Sequence, residues 1–163
     1  MVKNILFISF LLASSVSLMS CSSDEDDEGG INFSDCSLNG PNFSISDVVG
    51  NWTATQANFD IPGTSQQIDV VAEGGTATLN VQSNGAFTLL ITESGASSES
   101  TTGDLAFCEG LFTVRYDDAP NDPEILQGSL NDGVFTITGS VEYDVDGDGS
   151  DDNAFVILKM ERS

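Results

Sequence analysis

The segment of the sequence best suited to chemistry is rich in aspartate and lies near the C-terminal end. It reads DVDGDGSDD from Asp144 to Asp152, which fits the pattern D-x-D-x-D-G-x-x-D. Calcium takes about six to eight oxygen ligands in proteins, and a glycine at the sixth place of such a loop allows its sharp turn. The sequence therefore predicts a structural calcium site. Its ligands would be Asp144, Asp146 and Asp148, the backbone carbonyl of Ser150, and Asp152 directly or through water.

This loop differs from an EF-hand, which carries a carboxylate at its twelfth place and a helix on each side. The twelfth place here is Phe155, and the flanking sequence favours strands. The loop resembles the calcium hairpins of integrin-type β-propellers, in which this pattern joins two strands. The alternative is a solvated turn of aspartate and glycine that holds no ion.

The composition argues against the commonest catalytic chemistries. The 163 residues include no histidine, so no Ser–His or Cys–His pair can form, and there is no P-loop, G-x-S-x-G or dinucleotide-binding fingerprint. With 26 acidic and 4 basic residues the formal net charge is −22, which would repel nucleic-acid phosphates and attract cations. We therefore expect a protein that is not an enzyme and does not bind nucleic acid.

The N-terminal residues have the composition of a secretory signal peptide, which we assign to residues 1–20. They combine one lysine with an apolar run that is too short to span a membrane. The residues from Leu18 to Cys21 then resemble the lipobox of bacterial lipoproteins. The resemblance implies that Cys21 becomes the first mature residue and carries diacylglycerol and a further acyl chain such as palmitate. Two or more acyl chains anchor a protein stably to a membrane.

An acidic segment follows the lipobox, and we assign residues 21–43 to a tether. Five adjacent acids from Asp24 to Glu28 repel one another and keep the chain hydrated. The stretch resembles the acidic segment behind the lipidated cysteine of surface-exposed lipoproteins of Bacteroidetes. That resemblance implies the outer membrane and its outer face. The alternative is a generic solvated spacer.

The two remaining cysteines, Cys36 and Cys108, form an even pair in a chain with an export signal, where disulfides persist. We predict that they bond and pin the segment after the tether to the domain. The alternative is two free, buried cysteines.

Residues 44–163 show short runs with a period of two, rich in β-branched and aromatic residues and broken by turn residues. One short helical turn fits between Ser44 and Val49, with Ser44 or Ser46 as its cap. About eight short strands in one small domain predict an all-β fold, either an up-and-down antiparallel barrel or a β-sandwich.

The sequence Gly50-Asn51-Trp52, placed between the helical turn and the first strand, resembles the G-x-W motif of the lipocalin superfamily. The resemblance favours an eight-stranded barrel of the calycin type. It implies that Trp52 closes one end of the barrel and that a basic residue of the last strand packs across the indole. Lys159 is the first candidate for that residue and Arg162 the second.

Such a barrel either packs solid or leaves room for one small apolar ligand. The residues we expect to line a pocket are Leu79, Val81, Phe87, Leu89, Ile91, Tyr116 and Phe135. We expect a monomeric lipoprotein of the outer membrane, displayed at the cell surface, whose barrel binds a small hydrophobic molecule. The alternative is a surface module for adhesion or structure, with a filled barrel that contacts proteins or glycans.

Overall fold

The computed structural model describes residues 31–145, 150 and 152–163. The N-terminal signal segment and Cys21 lie outside these residues. The described chain contains one 3₁₀ turn, Phe33–Asp35, one short helix, α1 (Ile45–Val48), and ten strands. The strands are β1 (Gly50–Asp60), β2 (Gln67–Asp69), β3 (Thr76–Val81), β4 (Ala86–Thr92), β5 (Ser98–Cys108), β6 (Leu111–Tyr116), β7 (Glu124–Ile125), β8 (Gln127–Asn131), β9 (Val134–Tyr143) and β10 (Asp152–Arg162). No helix among the described residues is both long and apolar enough to cross a membrane.

The strands form one antiparallel sheet that curls into a nearly closed barrel, so the prediction of an all-β barrel is confirmed. Their spatial order is β7-β6-β5-β4-β3-β1-β10-β9-β8, and β2 pairs separately with β1. The nine strands of this path exceed the predicted eight because one segment is split. Only Leu126 separates β7, which pairs with β6, from β8, which pairs with β9. This single segment therefore bridges the two edges of the sheet.

The period of two in the sequence becomes an alternation of inward and outward side chains. In β3 the side chains Ala77, Leu79 and Val81 are buried while their neighbours are exposed. The last strand, β10, likewise buries every second residue from Ala154 to Met160. Because successive strand residues point to opposite faces, this pattern gives the barrel an apolar interior and a polar exterior.

The two ends of the barrel differ in their connections. At one end lie α1, the C-terminus and the tight β3–β4, β5–β6 and β8–β9 turns; we call it the closed end. Two of these turns, Glu109-Gly110 and Asp132-Gly133, have positive φ at both residues, as the two-residue hairpin turns that match strand twist require. The longer β1–β2, β4–β5, β6–β7 and β9–β10 connections lie at the other end, the open end.

The segment before α1 packs against the barrel through a disulfide between Cys36 and Cys108, which confirms the predicted pairing. Ser37 continues this attachment by exchanging two backbone hydrogen bonds with Phe107, at 2.9 and 2.7 Å. The guanidinium of Arg115 lies 4.4 Å from the centre of the Phe33 ring. The described segment therefore packs on the outside of β6 at Arg115 and is then bonded to the last residue of β5, at the closed end.

Candidate ligand-binding site

Trp52 occupies the interior of the closed end, where its side chain is 1% exposed. Its indole Nε1–H donates a hydrogen bond to the Val48 carbonyl at 2.7 Å, which satisfies the one polar atom of the ring and part of the end of α1. Gly50, two residues earlier, has a φ of +128°, which side-chain-bearing residues rarely adopt. The Gly-x-Trp spacing thus turns the chain from α1 into β1 and directs the indole inward.

The cation over the indole is Arg162, the second candidate, and not Lys159. The Arg162 guanidinium lies 4.6 Å from the ring centre and also donates to the carbonyls of Val49 and Asp47, at 2.8 and 2.6 Å. Lys159 is exposed on β10, between Gln56 and Thr136 in the register. The planar guanidinium can bind two carbonyls and cover a ring at once, which a single ammonium does less well.

Aromatic side chains fill the rest of the closed end. The Phe43 ring lies 5.1, 5.9 and 5.8 Å from the rings of Phe107, Phe112 and Phe135, and Trp52 lies 5.6 Å from Phe135. We call these five residues the aromatic plug. Ile45 and Val48 of α1, both fully buried, belong to the same core. The closed half of the barrel is therefore solid.

The open half encloses a cavity of about 410 Å³. Of the residues predicted to line a pocket, Leu79, Phe87, Leu89, Ile91 and Tyr116 do so. Val81 and Phe135 were predicted to line it and do not, because they lie nearer the closed end and belong to the packed core. Further apolar lining comes from Phe59, Leu105, Val114, Leu126, Ile137, Val141, Val156 and Leu158.

The outer part of this cavity is acidic. Its lining includes the carboxylates of Glu99, Asp118, Asp122, Glu124 and Glu142, and it includes no described basic residue. We call these five residues the acidic mouth. The three basic residues after Cys21 lie elsewhere: Arg162 at the closed end, Lys159 on the exterior, and Arg115 in an ion pair with Asp104.

Glu124 is the least exposed member of the acidic mouth. Burial raises the pKa of its carboxyl, a hydrogen bond with Tyr116 lowers it, and the charges of Asp122 and Glu142 raise it further. Its Oε2 atom is the one buried side-chain oxygen or nitrogen of the described residues that has no hydrogen-bond partner. Burial and then the charge of Glu124 raise the pKa of Tyr116 well above its usual range, so that phenol stays protonated.

A second tyrosine, Tyr143, helps to shape the open end. Its ring stacks on Phe59 with a centroid distance of 3.9 Å, and its hydroxyl donates to Glu93 at 2.5 Å. Burial, and then that hydrogen bond, raises the pKa of Tyr143 as well. Tyr143 therefore supplies an apolar wall while its hydroxyl is already engaged.

The predicted calcium loop joins β9 to β10 at the open end. Asp146 and Asp148 lie outside the described residues, whereas Asp144, Ser150 and Asp152 lie within them. A carboxylate oxygen of Asp152 accepts a hydrogen bond from the Val145 N–H at 3.3 Å. The described residues hold no group of three or more side chains that could bind a metal ion. Calcium therefore stays a prediction, which melting curves with and without millimolar calcium would test.

Two parts of the structure were not anticipated from the sequence. Phe43, assigned above to the tether, is buried in the core; it precedes the cap Ser44, and Val48 occupies the matching fourth position of α1. An apolar pair at these places is the signature of a hydrophobic staple, which could have placed Phe43 inside. The acidic mouth had no such signal, because carboxylates are frequent throughout this sequence.

Comparison of the chain with protein-family models, with curated proteins and with solved structures gives no match.

Proposed function

We propose that this protein is a lipid-anchored lipoprotein of the outer membrane, displayed on the cell surface, whose lipocalin-like barrel binds a small hydrophobic molecule in its open half. The observation that carries the proposal is the cavity of about 410 Å³ lined by aromatic and aliphatic side chains. Ligand pockets in proteins are typically concave, mostly apolar and about 300–1,000 Å³ in volume.

The contrast between the halves of the barrel supports binding rather than a filled scaffold. The closed end is packed by the aromatic plug and α1, and Arg162 covers the indole from outside. In the open half, by contrast, the apolar side chains surround the cavity. Burying an apolar ligand there would gain about 25 cal/mol for each Å² removed from water, before the cost of association.

The path of the described N-terminal segment supports a protein that binds its ligand while it is anchored to a membrane. The described N-terminal segment joins the barrel at the closed end, through the disulfide between Cys36 and Cys108. An anchor at Cys21 would then be joined to the outer wall of β5 and β6 and not across the mouth of the cavity. The mouth would remain open to the surroundings even with the protein held at a membrane.

Mass spectrometry of organic extracts tests the binding. Protein purified from its native membrane should release an apolar compound in a near-stoichiometric amount. The matched control is Leu89→Trp, which places a bulky ring in the cavity and should lower the yield of that compound severalfold. A clean extract from the unaltered protein, or equal yields from both proteins, would contradict the proposed function.

Cell fractionation and protease accessibility test the anchor. Cys21→Ser should release the protein from membranes, because the acyl chains have no thiol to which they can attach. Cys36→Ser is the matched control, since it makes the same chemical change and leaves Cys21 in place, so it should stay in the membrane fraction. Intact cells should lose the anchored protein to added protease. Membrane retention of Cys21→Ser would refute the anchor.

A further inference from the structure

We infer that the ligand of this cavity is an amphiphile with an apolar tail and a cationic, amine-bearing head. The inference rests on the proposed function and specifies the ligand class of the same site. Its basis is the order of groups along the cavity: an apolar interior, then the acidic mouth. A tail would occupy the first region while the head lies against the second.

The charge of the mouth selects against other head groups. Five carboxylates from three strands and one loop line it, with no described basic residue among the lining. A fatty acid or a phosphate-bearing lipid would bring a further negative charge to these groups and find no lining cation. A neutral head would leave their mutual repulsion unrelieved. An ammonium group would be attracted by all five, and most strongly by Glu124, the one member of the acidic mouth that is not exposed.

Glu124 supplies a specific contact for such a head. Its Oε2 atom is buried and lacks a hydrogen-bond donor among the described residues, although its carboxyl also interacts with Tyr116. An unpaired buried acceptor is costly, and a charged donor is the partner that forms the strongest hydrogen bond with a carboxylate. An ammonium N–H would fill this place, whereas an alcohol would do so more weakly and a carboxylate could not.

Calorimetric titration with three probes of equal tail length tests the inference. Decylamine, decan-1-ol and decanoate are each titrated into the mature chain, residues 21–163, carrying Cys21→Ser, which needs no detergent because the signal segment and the acyl chains are both absent. We expect decylamine to bind at least about tenfold more tightly than decan-1-ol, and decanoate to bind most weakly, because a charge-assisted hydrogen bond contributes more than a neutral one. Added salt should reduce the advantage of the amine and leave the alcohol unchanged.

Substitutions test which carboxylates are responsible for the tighter binding of decylamine. Glu124→Gln and, separately, Glu142→Gln should each weaken decylamine severalfold while decan-1-ol binding stays the same. Glu161→Gln is the matched control, because it removes the same charge from an exposed site on β10 at the closed end. If Glu124→Gln fails to fold by circular dichroism, Glu142→Gln and Asp122→Asn decide the question.

The outcomes separate this inference from the function on which it rests. If none of the probes binds, the proposed function fails. If decan-1-ol binds as tightly as decylamine, the cavity binds apolar ligands and the inference of a cationic head is wrong. If Glu161→Gln weakens decylamine as much as Glu124→Gln does, diffuse charge rather than the acidic mouth attracts the amine, and the inference is again overturned.

Discussion

The two ends of this barrel are built from the same strands but differ in how their interiors are packed. At the closed end, inward positions carry the aromatic plug, α1 packs against it, and the indole N–H of Trp52 is bonded to the Val48 carbonyl. At the open end the inward side chains surround the cavity of about 410 Å³, and a carboxylate oxygen of Glu124 has no hydrogen-bond partner among the described residues. The comparison leads us to expect that the closed end contributes more to the stability of the barrel than the open end does.

The largest expected difference comes from the same truncation made at each end. Phe135→Ala removes a ring from the packed plug and should lower the free energy of unfolding by about 3–5 kcal/mol, because the surrounding rings cannot collapse into the space. Phe87→Ala removes a ring that borders existing space and should cost at least about 1 kcal/mol less. Urea denaturation of the two variants measures both values. Equal losses would mean that the open end is packed as well as the closed one.

The disulfide should rank next, because it ties the N-terminal segment to the closed end across a separation of 72 residues. The double variant Cys36→Ser, Cys108→Ser should lose about 2–4 kcal/mol of unfolding free energy. A reducing agent should destabilise the unaltered protein similarly and leave the double variant unaffected. If reduction changes neither protein, this bond adds nothing to the closed end.

Arg162 should matter more than Lys159, although both are exposed cations of β10. Arg162→Met loses two charge-assisted hydrogen bonds and the contact with the indole, so we expect a loss of about 1–2 kcal/mol. Lys159→Met should change stability by less than about 0.5 kcal/mol, as is usual for surface positions. Thermal melts of the two variants make the comparison. A larger effect at Lys159 would contradict the assignment of the covering cation.

The smallest predicted effect concerns the ionisation of Glu124 at the open end. A carboxyl whose pKa is raised by folding favours the folded state while it is protonated, and that contribution is lost as pH rises through the folded pKa. Glu124 faces Tyr116, Asp122 and Glu142, so Glu124→Gln should raise the melting temperature near neutral pH by a few degrees at most. The gain should disappear as the pH falls below 4.5, the ordinary pKa of a glutamate carboxyl. A gain that persisted in acid would show that charge at this position is not its cause.

The sequence predicts the parts of this structure that depend on local pattern. Alternation in β3 and β10 gives inward and outward faces, and the order helical turn, Gly-x-Trp, strand leads to a closed end around Trp52. The pairing of Cys36 with Cys108 was predicted from the number of cysteines and from the export that the N-terminal sequence suggests. For the strands and the closed end, residues that are close in sequence contain enough information to specify the geometry, whereas the disulfide was predictable because only two cysteines remained to pair.

The remaining parts depend on contacts between distant residues. Alternation indicates that Val81 and Phe135 point inward. It does not indicate whether they pack against other side chains or line the cavity, because that depends on how far each residue lies from the closed end. The choice between Lys159 and Arg162 depends on where α1 presents its carbonyls. The acidic mouth gathers Glu99, Glu124 and Glu142 from three strands, and no local pattern distinguishes them from the other acids of the chain.

Methyl-resolved NMR during titration with decan-1-ol tests the central claim most directly, because one spectrum reports on both ends of the barrel. The account predicts that methyl signals of Leu89, Ile91 and Val156, which line the cavity, shift with ligand, while those of Ile45 and Val48 beneath the aromatic plug do not. Saturating shifts confined to the first group would establish a hollow open end beside a solid closed end. Shifts confined to Ile45 and Val48, or no shift in either group, would contradict it.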